Sequence, residues 1–184
     1  MQFLKWWWPA GAIAFLLLGC QSEPEVEPTL QPVPGKVAHL LDSTQAAAQI
    51  QTDEKEGYFE QISTLDIRLQ MGLPPDTAIA ESALRQRYAP FLARQVRPFA
   101  EAERALLGIA IQQAYTYCAA LNDRLLPDSV CLAKMSTNVF GPSVYFTRER
   151  TIFLPQNELY GNNRALVPVL LHELFHIISR YQPK

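Results

Sequence analysis

Apolar residues recur along this chain at two periods, and the change of period divides it. From residue 58 to residue 121 the spacing is helical. Phe59, Ile62, Asp66 and Leu69 share one face of 58–71, and Gly72-Leu73-Pro74-Pro75-Asp76 then breaks the run. Residues 77–96 read as helical around Leu84, Tyr88 and Leu92, with Pro90 as an interruption. Residues 101–121 make the strongest upstream helix, with Leu106, Ile109, Ala110, Tyr117, Cys118 and Leu121 as its apolar face. The alanine-rich stretch 37–51 also reads as helical. After Pro127 the period falls to two. Residues 130–134 form a short strand, and the β-rich runs 144–147 and 151–154 flank Arg148-Glu149-Arg150 as a hairpin. The spacing then returns to helical over 164–181, with Asn162 and Asn163 as caps and Pro168 near the first turn. The expected fold class is α+β, mainly helical, with a small antiparallel sheet packed before a C-terminal helix.

That last helix carries the chemistry. With His172 set at 0° on a helical wheel, His176 falls at about 40° and Glu173 at about 100°. Val167, Leu170, Leu171, Leu174, Phe175, Ile177 and Ile178 occupy about 140° to 300°. Both histidines and the glutamate are therefore expected on the polar arc. One helical turn brings two imidazoles close enough to converge on one metal ion, with Zn–N near about 2.0–2.1 Å. A glutamate beside the first histidine can reach an activated water without ligating the metal.

The stretch Val169-Leu170-Leu171-His172-Glu173-Leu174-Phe175-His176-Ile177-Ile178 resembles the extended signature of the HExxH zinc metallopeptidases, the zincins. The resemblance is specific at His172, Glu173 and His176 and covers at most the last third of the chain. It implies zinc held by His172 and His176, Glu173 as general base, and a peptide or protein substrate. In zincins a strand at the rim of the cleft pairs with extended substrate, and 151–154 is the candidate here; an ordinary packed strand is the equal alternative. The third metal ligand stays unknown. Families with a compact third ligand would carry Gly at 179 and His at 182, whereas this chain has Ser179 and Gln182. Families of the thermolysin kind take a Glu from a second helix downstream, and the sequence stops at Lys184 before such a helix. Upstream, His39, Glu149 and Glu158 are available, and spacing selects none of them. On this comparison the chain is a truncated member of a longer family.

Residues 1–19 read as a signal peptide: Lys5 is the only charge and an apolar run follows through Leu18. The run ends Leu17-Leu18-Gly19-Cys20, which resembles the bacterial lipobox. That resemblance implies cleavage before Cys20, lipid on Cys20, and attachment to the cell envelope. Gln21 in place of Asp favours the periplasmic side of the outer membrane. Residues 20–36, with Pro24, Pro28, Pro32 and Pro34 and three glutamates, predict an extended tether. Residues 37–184 are then one zincin-like domain, incomplete at its C-terminus.

Composition changes this picture in two ways. Loss of Lys5 leaves the processed chain one unit more negative than the −2 of the whole sequence. No basic patch, internal repeat or phosphate-binding glycine loop directs it to nucleic acid or nucleotide. Once Cys20 is lipidated, Cys118 and Cys131 remain as a pair in an oxidising compartment. A disulfide between them would stabilise by about 3 kcal/mol in the chain-entropy account. Cys118 fits equally well as a small buried apolar residue. Two functions stay open: an envelope-anchored zinc hydrolase, and a non-catalytic envelope lipoprotein or binding module whose metal motif is a relic.

Overall fold

A computed structural model describes residues 29–74, 76, 78–160 and 165–181. The expected signal peptide, Cys20 and the expected helix caps Asn162 and Asn163 lie outside these residues. The chain runs β1 (Thr29–Leu30), β2 (Val37–Leu40), α1 (Ser43–Gln51), α2 (Tyr58–Gln61), α3 (Thr64–Gln70) and α4 (Glu81–Ala93). It continues through β3 (Val96–Arg97), α5 (Glu101–Asn122), β4 (Ser129–Met135), β5 (Phe146–Arg148), β6 (Thr151–Pro155) and α6 (Leu166–Tyr181).

The sheet corrects the expectation of a small antiparallel one. It has six strands in the order β1-β2-β4-β6-β5, with β3 paired to the end of β4. Its centre is parallel: β4 pairs in parallel with β2 on one side and with β6 on the other. Only β1, β3 and β5 run antiparallel to their neighbours. Helices cover both faces, so the central strands are buried twice and read as continuous apolar runs. On β4, Val130 and Leu132 join one core cluster with residues of α5 and α6. Ala133 and Met135 join the other, with residues of α1, α3 and α4.

Several elements differ from the sequence expectation for identifiable reasons. Residues 37–51 are not one helix. Val37–Leu40 is a strand, and Asp42 then starts α1 through a capping box with Gln45. The capping box, not the alanine content, marks where the helix begins. Residues 29–36 belong to the packed body rather than to a tether: Leu30 and Val33 lie against the core and Lys36 pairs with Asp128 at 2.8 Å. Pro90 does not interrupt α4, which buries Leu84, Tyr88 and Leu92 as the spacing predicts. Proline near the last turn forfeits one hydrogen bond there and the helix still closes. On α5 the buried residues are Leu107, Ala110, Ile111, Ala114 and Tyr115. Their centre is rotated about 80° from the expected face. Leu121 is 88% exposed, and Ile109 and Tyr117 are exposed too. This helix is apolar over much of its circumference, so period alone could not choose its buried side.

The hairpin of β5 and β6 is present, closed by Glu149 and Arg150 with Glu149 at φ 48°. Of the two central residues only Glu149 has a positive φ, and a positive φ at the first central residue suits a tight turn between twisted strands. Arg148 anchors the hairpin to the end of α1. It donates to the carbonyls of Ile50 and Thr52, both at 2.9 Å, and its guanidinium lies over the rings of Tyr58 and Phe59.

Candidate metal centre

The motif lies on α6, which packs with α5 on one face of the sheet. Its buried residues are Leu166, Leu170, Glu173, Leu174 and Ile177. That arc is centred about 70° from the middle of the apolar arc read on the wheel. Two consequences correct the sequence expectation. Phe175, placed in the apolar arc, is 64% exposed. Glu173, placed on the polar arc, is only 4% exposed. The rotation is set by the sheet, because β5 offers a polar partner at the edge of the buried arc.

That partner is Thr147. Side chains alternate along β5, so Phe146 packs in the cluster of α1, α3 and α4 while Thr147 points to α6. Thr147 Oγ1 donates to Glu173 Oε2 at 2.5 Å, and both side chains are buried. A carboxylate so buried needs such a donor, because desolvation without one costs several kcal/mol on the order of 2–7 for a polar group and more for a charge.

His172 is exposed and His176 half-buried. Their Nε2 atoms lie 3.0 Å apart and the rings stand nearly perpendicular, at 87°. Two nitrogens on one tetrahedral zinc would stand about 3.3 Å apart at ordinary Zn–N lengths. The pair thus fits a shared metal ion with a shift of a few tenths of an ångström. A Glu173 carboxylate oxygen and one nitrogen from each ring lie within 4.8 Å of one another. This is the one such cluster among the described residues.

None of the upstream candidates for a third ligand joins it. His39 is on β2, where Ala38 and Leu40 face the cluster containing α6 and alternation turns His39 to the opposite face. Glu149 Oε1 accepts from the amides of Glu54 and Lys55, both at 2.9 Å, and its Oε2 accepts from the Tyr181 hydroxyl. Glu158 accepts from Ser143 Oγ at 2.7 Å.

The proposed rim strand also changes. Residues 151–154 lie within β6, an interior strand buried along its whole length. The edge strand beside α6 is β5. In a hairpin with a two-residue turn, Arg148 and Thr151 form the hydrogen-bonded closing pair, so Thr147 turns its N–H and C=O outward. Its carbonyl accepts from Arg180 Nη1 at 3.2 Å, and Arg180 is paired in turn with Glu56. Arg180 is one helical turn beyond His176. It lines a cleft of about 640 Å³ with Lys55, Glu56, Tyr58, Gln61 and Tyr181. Thr147 and Arg180 were not singled out from sequence. The alternation of β5 would have placed Thr147 on the α6 face, once the hairpin register was known.

Cys118 and Cys131 do not form a disulfide with each other. Cys118 packs with the cluster of α5 and α6, and Cys131 with the cluster on the other face of the sheet. The sheet separates them, which removes the candidate disulfide. The even cysteine count carried no information about which face each residue takes.

Comparison of the chain with protein-family models, with curated proteins and with solved structures finds no match.

Proposed function

We propose that the chain is a zinc-dependent metallohydrolase of peptidase type, held on the cell envelope through lipid on Cys20. The observation that carries this is the convergence of His172 and His176 at 3.0 Å, with a buried carboxylate beside them. In this reading His172 and His176 hold the metal through Nε2. Zinc, when bound, supplies Lewis acidity that makes water a nucleophile near neutral pH. Glu173 accepts the proton of the attacking water and can return it to the leaving amine. Burial limits competing solvent around that carboxylate. In this reading the peptide occupies the cleft that Arg180, one helical turn beyond His176, lines with Lys55, Glu56, Tyr58, Gln61 and Tyr181.

The test is paired. Zinc content of the purified protein is measured beside His172→Ala/His176→Ala, and hydrolysis of a mixed peptide library beside Glu173→Gln. The expected result is about one zinc per chain, lost in the double variant. Glu173→Gln should keep the zinc and lose the hydrolysis. A zinc-loaded protein whose hydrolysis is unaffected by Glu173→Gln would remove the proposal.

A second reading is a non-catalytic envelope lipoprotein whose motif no longer holds metal. It is favoured by one observation: Glu149 and Glu158 are committed to structural hydrogen bonds and His39 to the other face of the sheet. It predicts that His172→Ala changes neither metal content nor stability. Loss of zinc in that single variant would decide against it.

A further inference from the structure

We propose that Thr147 is a positioning residue that aims the Glu173 carboxylate at the space between His172 and His176. The inference rests on the hydrolase reading above for its catalytic consequence, and on geometry alone for the aiming itself.

The carboxylate of a glutamate turns about three side-chain torsions, and α6 by itself restricts only the first of them. Thr147 removes that freedom. Its hydroxyl has a single proton to donate, and it goes to Glu173 Oε2 at 2.5 Å. The same hydroxyl lies 3.4 Å from the Glu173 backbone carbonyl, so it sits against both ends of the residue. With one oxygen held on the β5 side, the carboxylate keeps an oxygen within 4.8 Å of both histidine rings.

Thr147 is itself held in place. Arg180 Nη1 donates to its carbonyl, and Arg180 is fixed by Glu56. Glu173 and Arg180 are seven residues apart, two turns along nearly the same line of α6, at about 100° and 80° on the wheel. One residue of the edge strand is thus gripped by its side chain and its backbone from a single line of the motif helix. A hydroxyl that only satisfied a buried carboxylate would not need its strand pinned to the same helix. Sequence spacing shows no such link, because Thr147 lies 26 residues before Glu173.

The test compares Thr147→Val, Thr147→Ser and Thr147→Cys with wild type and Glu173→Gln. The first readout needs no activity. The Glu173 side chain is followed by carbon-13 relaxation in zinc-free protein labelled at glutamate, its signal assigned by its loss in Glu173→Gln. It should be rigid in wild type and Thr147→Ser and mobile in Thr147→Val. The second readout is kcat and KM on a fluorogenic peptide selected by the wild-type protein from a mixed library. Thr147→Val should lower kcat by about 10²-fold, as expected for a misaimed catalytic group, with KM nearly unchanged. Thr147→Ser should restore kcat, and zinc content should be equal in all. If Thr147→Val does not fold, Thr147→Cys takes its place, with a weaker donor and an intermediate kcat. A Glu173 side chain equally rigid without the hydroxyl overturns the proposal, whatever the activity. So does a mobile Glu173 with undiminished kcat. If wild type shows no Glu173-dependent hydrolysis, the hydrolase reading fails, and the relaxation measurement still decides whether Thr147 aims the carboxylate.

Discussion

Glu149 joins three parts of the molecule, and its removal should show by how much they depend on it. It sits at the hairpin turn with φ 48°, in the left-handed region. Its Oε1 accepts two amide hydrogen bonds from Glu54 and Lys55, its Oε2 accepts from Tyr181 at the end of α6, and its own amide donates to Glu56. Glu149→Ala would strand two partly buried amides that now bond to a charged acceptor. At about 1–3 kcal/mol for each unsatisfied group, the loss is about 2–6 kcal/mol. For a chain of this size that lowers Tm by about 10 °C. Glu149→Gly loses the same bonds but relieves the left-handed backbone. Its greater freedom when unfolded takes part of that gain back, leaving it about 0.5–1 kcal/mol more stable than the alanine variant. Glu149→Gln keeps an acceptor for the amides and loses the charge, costing about 1–2 kcal/mol. Urea and thermal unfolding at pH 7 should therefore rank wild type first, then Gln, Gly and Ala. An alanine variant as stable as wild type would refute the clasp. Glycine no better than alanine would refute the backbone argument while leaving the hydrogen bonds standing.

The same carboxylate should shape the acid limb of stability. Burial works against its charged form, but the Tyr181 hydroxyl and the amides of residues 54–56 outweigh burial and hold it below the usual glutamate range. A folded-state pKa below the unfolded one gives stability that is present above about pH 4 and lost as pH falls through the folded value. Glu149→Gln should flatten that limb between about pH 5 and pH 2 in acid unfolding, and an unchanged limb would contradict the assignment. Burial pushes the Cys118 thiol up, so it should alkylate slowly in native protein at pH 8. In unfolded, unreduced protein both Cys118 and Cys131 should react at once, and a need for reductant would show that they are bonded. Leu174→Ala should cost about 2–5 kcal/mol and Phe175→Ala within about 0.5 kcal/mol, measured by urea unfolding. Equal costs would mean that α6 is rotated differently from the arrangement described above.

How much of this was legible in the sequence varies from element to element. α4 was readable because its apolar residues fall on one narrow line: Leu84, Tyr88 and Leu92 recur every fourth position, and all three are buried. The hairpin was readable because two β-rich runs flank a short charged turn. α5 was not, since Ile109, Tyr117 and Leu121 are as apolar as Leu107, Ile111 and Tyr115, and only contact with the sheet separates the exposed set from the buried one. The parallel centre was hidden for a different reason. β2 and β4 are joined by α1 to α5, and a pairing between Val37 and Ser129 leaves no local trace in either strand. The four-residue β2 was also too short to compete with the alanines that follow it.

The site divides along the same line. The pairing of His172 with His176 depends on one helical turn, so spacing alone foretold their convergence. The state of Glu173 depends on a strand 26 residues away, so spacing placed it in solvent. A buried, hydrogen-bonded carboxylate beside two accessible imidazoles is a different object from three residues on a solvated face. On such a face, His172, Glu173 and His176 would each be free to turn, and every substitution would be nearly neutral. Here Glu173 is held from β5, and the residue holding it is pinned by Arg180 farther along the same helix. Removing the carboxylate would leave the buried Thr147 hydroxyl only the longer contact with the Glu173 backbone carbonyl at 3.4 Å, at a cost of about 1 kcal/mol, whereas removing either imidazole exposes no unpaired buried group. The cluster is therefore built asymmetrically: its two imidazoles are exposed or half-buried while its carboxylate is buried and bonded to β5, so loss of Glu173 should register in folding.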